Sequence, residues 1–128
     1  MHEDRRAPLS AVAQALLPLH KSLLDVTRAD YEREHGRVPG PGMLFQLVVR
    51  DPFFAWLRPM SGLMALIDEI LDDEEQFARA READLRERVE VLIVEGSHPF
   101  AVKYLEILQV EPEVVLHHAA LRKALSQL

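Results

Sequence analysis

Between Phe53 and Leu71 the apolar residues Phe53, Leu57, Met60, Met64, Ile67 and Leu71 step by 4, 3, 4, 3 and 4 positions. That spacing follows the turn of an α-helix and conflicts with the two-residue alternation of a half-buried strand. Trp56, Leu63 and Ile70 widen the same stripe, as a core-facing helix requires. Asp51 before Pro52 predicts the helix start: the acid caps free N–H groups, and proline suits the first helical position. Pro59 and Gly62 interrupt the stripe and predict a bend between Arg58 and Gly62.

The period recurs upstream. Leu9, Val12, Leu16, Leu19, Leu23 and Val26 form one row of a helix over about 9–35, and Ala13, Leu17, His20, Leu24 and Tyr31 form a second. Pro18 predicts a kink or a break there. Gly36 is the expected stop, and the glycine- and proline-rich stretch to Gly42 is a loop. Met43 to Arg50 then forms a short apolar helix.

Asp72, Asp73, Glu74 and Glu75 complement the dipole of a helix start and oppose that of a helix end. Asp73 and Gln76 have capping-box spacing. A new helix is therefore expected from about Glu74 to Glu95, with Glu75–Arg79, Glu82–Arg86 and Asp84–Arg88 pairing on its exposed face. Val89–Val94 is β-branched enough for a strand, but a lone strand has nothing to pair with. Gly96 is the expected helix end, and Ser97 with Pro99 opens the next helix, to about Gln109. A last helix runs from Pro112 to about Ser126. The expectation is an all-α, compact bundle of five to six helices over residues 9–128, after a disordered stretch over 1–8.

At 128 residues such a domain buries enough surface to need no staple. Cysteine is absent, which excludes disulfides, thiolate metal sites and a cysteine nucleophile. A net charge of −6 argues against binding nucleic acid through its phosphates. Arg79, Arg81, Arg86 and Arg88 are interleaved with Glu82, Asp84 and Glu87, so no basic face forms. No run of apolar residues is long enough to span a membrane, and the N-terminal residues lack a secretory pattern, so the cytoplasm is the expected location.

Candidate chemistry is sparse. His20 and His118 fall on apolar rows and read as core histidines with one hydrogen bond each. Glu113 and His117 share a helix face, but no such pair recurs on other helices as metal bundles require. The acids from Asp68 to Glu75 lack the glycine and the alternation of a calcium loop. Phosphate-loop, dinucleotide, nucleophile-elbow and zinc-protease motifs are absent, so no cofactor and no metal is expected.

The densest unusual segment is Asp51–Asp68, with the only tryptophan. Phe53 and Trp56 share the core face, whereas Phe54 and Arg58, four apart, point away from it. The bland reading makes the aromatics core and Arg58 a cap or an ion-pair partner. The functional one has Phe54, Arg58 and the Pro59 bend line a groove or interface, where Phe, Trp and Arg are enriched. Gly40–Glu69, and Asp51–Ser61 (DPFFAWLRPMS) within it, resembles small uncharacterised bacterial helical proteins carrying a DPxFAWLRPxS-type segment. The resemblance implies a bacterial source and a helical fold, and no activity.

The sequence thus predicts a binding module, recognising a second copy, a protein partner or a small apolar ligand, with Phe53, Phe54, Trp56 and Arg58 as its recognition residues. The alternative is a metal-dependent bundle enzyme using His20, Glu113 or His117 with Asp68 or Asp72.

Overall fold

The computed structural model describes residues 5–94 and 98–128. Among these the regular elements are all helical: α1 (Ala7–His35), α2 (Pro41–Arg50), a 3-10 segment (Pro52–Leu57), α3 (Arg58–Asp72), α4 (Glu74–Arg79), α5 (Glu82–Ile93), α6 (Pro99–Val110) and α7 (Pro112–Leu125). Val89–Ile93 is helix, not strand. The expected stop at Gly96 and start at Ser97 lie outside the described residues, as do residues 1–4. Helix α1 begins at Ala7, two residues before the expected start of the domain at Leu9.

Helix α1 is the spine, 29 residues and about 43 Å long. Its expected first row is buried from Leu9 to Leu23, and Thr27 continues the stripe. The second row is only partly covered, and Leu17 is exposed. Pro18 does not end the helix. Both Pro18 and Gln14 face solvent, so the carbonyl that loses its partner is open to water. Gly36 stops α1 with φ +86°, a conformation that suits glycine, and its N–H donates to Glu32 O at 2.9 Å. Val38 then folds back onto α1: its N–H donates to Glu32 Oε2 at 2.7 Å and its carbonyl accepts from Arg28 at 3.2 Å.

The expected single helix over Pro52–Leu71 divides. Asp51 caps as expected, accepting from Phe53 N–H at 2.8 Å. Pro59 then has no N–H for the Ala55 carbonyl, and the Arg58 N–H takes that carbonyl instead, one residue early. The turn before Pro59 therefore winds tightly, with three residues per turn. Buried positions there fall at Phe54, Leu57 and Met60, then at Leu63, Ile67 and Ile70 in α3.

Asp73 opens α4, accepting from Glu75 N–H at 2.9 Å and Gln76 N–H at 3.1 Å. These donors, Gln76 first, hold its carboxyl below the ordinary aspartate range. The helix expected to run on to Glu95 breaks at Ala80 and Arg81, both extended. An unbroken helix would place Arg81 midway between Phe77 and Leu85, four residues from each and on the core side. The break turns Arg81 to solvent while Phe77 and Leu85 both reach the core. Of the expected surface pairs, Glu75–Arg79 forms. Arg86 pairs instead with Glu90 at 3.3 Å, and Asp84 with Arg81 at 3.9 Å.

Helix α7 packs chiefly on α1, with α6 beside it; α3 and the 3-10 segment pack on α1 as well. Tyr104, Phe54, Met60, Ile67, Ile93 and Leu121 are among the fully buried side chains that fill the space between.

Candidate functional site

Two helices frame the main concavity. The short α4 returns the chain from the end of α3 to the start of α5. At the other end of α5 the Val91 carbonyl accepts from His98 Nε2 at 2.7 Å. The His98 ring stacks on Phe100 at 6.5 Å, and Phe100 lies 5.3 Å from Trp56, just before α3. Helices α3 and α5 are therefore antiparallel. Between them lies a groove of about 670 Å³ lined by Pro59, Gly62, Leu63, Leu66, Val91 and Leu92, with Arg58, Asp84, Glu87 and Arg88 as its charges.

Gly62 is an exposed lining residue of the groove. A Cβ there would meet nothing within 4 Å, so the missing side chain leaves open space. Its charges are separated along its length. Arg58 begins α3 and marks one end; Asp84 and Glu87, in the first half of the opposing α5, mark the other, with Arg88 beside Glu87. Arg58 is held in place by donating to the Val49 carbonyl at 2.9 Å, which also caps the end of α2.

The four residues expected to form the recognition segment do not act as one. Phe54 is 0% exposed, which overturns its expected outward direction. The tight 3-10 winding rotates Phe54, rather than Phe53, onto the core face. Phe53 and Trp56 are half-buried and carry the Lys103 ammonium 5.7 and 5.1 Å from their ring centres. Trp56 also donates to Thr27 Oγ1 at 3.3 Å, and Thr27 to the Leu23 carbonyl at 2.7 Å. Arg58 and Pro59 line the groove between α3 and α5, and Phe54 does not. Gly62, Asp84 and Glu87 were not among the expected site residues. The one signal for them was a glycine within a helical stripe, which reads more simply as a bend.

Tyr104 and His118 form a pair across α6 and α7, with Oη 2.6 Å from Nδ1. Burial pushes the Tyr104 phenol well above its ordinary range, so it stays a donor. Burial, then the Arg122 charge, lowers the pKa of His118. His20 departs from expectation: its buried Nε2 has no hydrogen-bond partner among the described residues, and burial lowers its pKa.

The residues of the metal alternative are not brought together. Asp68 and Asp72 border a hollow beside Arg6 and Ser10, whereas Glu113 borders another beside Ser22 and Asp25. Among the described residues no three His, Asp or Glu side chains converge as a metal ion requires. Arg79, Arg81 and Arg86 are each paired with an acid. No described helix is long and apolar enough to cross a membrane. Compared with protein families, curated proteins and solved structures, the chain matches none.

Proposed function

We propose that this chain is an interaction module that holds an amphipathic helix of another polypeptide in the groove between α3 and α5. The carrying observation is the groove itself: Leu63, Leu66, Val91 and Leu92 supply apolar lining with open space at Gly62, Arg58 lies at one end, and Asp84 and Glu87, with Arg88 beside them, lie at the other. Helices recognised in such grooves present a stripe of apolar anchors to the floor and leave polar residues to the rim. The size of the groove, roughly that of a small-molecule site, suits a few side chains of one helical face. The cysteine-free composition and the resemblance of Asp51–Ser61 favour the bacterial cytoplasm as its setting.

The test uses a labelled synthetic helix of about 15 residues with leucines on one face, acids in its first turn and bases in its last. Fluorescence anisotropy should report saturable binding to the wild-type chain and at least about tenfold weaker binding to Gly62→Phe, whose ring fills the floor. Equal binding to both, or binding to neither, overturns the groove as the site.

A further inference from the structure

The chain itself carries a helix that fits this groove. Resting on the groove reading above, we infer that its occupant is α7 of a second copy of this chain, joined head to tail. The outward face of α7 carries an exposed apolar patch. Leu116 is 69% exposed, Val115 is exposed, and Ala119 and Ala120 continue the face. Its ends are charged in the order the groove needs. Glu113 lies in its first turn and Lys123 in its last.

Laid along α3 with its start at Arg58, α7 of the second copy brings Glu113 to Arg58 and Lys123 to Asp84 and Glu87. Leu116 then lies over Gly62. The lengths agree. Glu113 to Lys123 spans about 15 Å of helix, and Arg58 to Leu66 about 12 Å. The opposite direction sets Glu113 against Asp84 and Lys123 against Arg58, so the end charges favour the first orientation, with the two acids outweighing Arg88 beside them.

Within one copy α7 cannot reach its own groove this way, because its inner face, Val114, Leu121 and Leu125, is buried and packs on α1 and α6. The contact uses two different surfaces, so each new copy presents a further free groove and a further free α7. One helix on one groove is a small interface, so association is weak and falls as salt screens the end charges.

Sedimentation velocity tests this on the full chain, with concentration raised to about 1 mM at low salt. The wild-type chain should show a concentration-dependent rise in mass through dimers to longer oligomers. Gly62→Phe, with a blocked groove, and Leu116→Glu, with a spoiled α7, should each remain monomeric. Mixed together they should form a one-to-one dimer, since each supplies the surface that the other lacks. Asp84→Lys and Lys123→Glu should each weaken association at least about threefold, and the double variant should regain most of it. Both positions and both blocked surfaces are exposed, and circular dichroism confirms that the variants fold. A wild-type chain that stays monomeric, or oligomers that survive either block, overturn the inference. If the synthetic helix still binds a monomeric wild-type chain and not Gly62→Phe, the groove reading stands and only the occupant is wrong.

Discussion

Tyr104 Oη and His118 Nδ1 share a hydrogen bond of 2.6 Å that ties α6 to α7. Replacing Tyr104 with Phe keeps the ring and removes the hydroxyl. The loss should be about 1 kcal/mol of unfolding free energy, read from urea denaturation.

The two histidines lowered by burial set a pH dependence. Unfolded, His20 and His118 take up protons near pH 6.5, about the value for free histidine. Folded, both hold below that value. Between the two the unfolded chain binds more protons, so stability is full above about pH 6.5 and declines as the pH falls below it. The urea midpoint should drop between pH 7.5 and pH 5, and the drop should shrink in a His20→Gln/His118→Gln variant. An undiminished drop in that variant assigns the effect elsewhere.

Phe54 and Arg58 should separate cleanly. Phe54→Ala empties a fully buried site and should cost about 3–5 kcal/mol. Arg58→Ala removes a charge-assisted bond to the Val49 carbonyl on an exposed residue and should leave global stability within about 1 kcal/mol. Thermal melts of both decide it, and comparable losses would contradict the placement of Phe54 in the core.

His98 acts as a clamp with two jaws. Its Nδ1 accepts from Ala101 N–H at 3.4 Å as the cap of α6, and its Nε2–H holds the Val91 carbonyl of α5. His98→Ala should lose about 1–2 kcal/mol, while His98→Asn, which still caps, should recover part of it. Equal losses would mean that the cap carries none of the effect.

Gly62→Ala should stabilise the chain by about 0.5–1 kcal/mol, since Ala favours the helix and meets no neighbour. A loss of stability in calorimetry would place something against that position.

The helical class, the starts at Asp51, Asp73 and Pro112, and the stop at Gly36 were legible because caps, prolines and glycines act within a few residues. Two boundaries were not. The switch to 3-10 winding before Pro59 depends on which N–H reaches the Ala55 carbonyl, and it rotates Phe54 and Phe53 between faces. The break at Ala80 has no glycine or proline to announce it; it follows from keeping Arg81 out of a core that only the folded chain defines. The groove was legible only as isolated parts, Arg58, Pro59 and Gly62, because its second wall comes from α5 and antiparallel pairing is a tertiary fact.

The packing of α7 on α1 has a consequence for how the protein comes into being. The first and last helices described here are each other's main neighbours, so their contact closes a loop of nearly the whole chain. Contacts that distant slow folding, because chain entropy is lost before they form. On the ribosome the leucine stripe of α1 can meet α3 and the 3-10 segment first, but its largest contact is completed only once α7 has been synthesised. A nascent chain halted before Pro112 should therefore be a sticky intermediate that needs a chaperone, rather than a smaller folded protein.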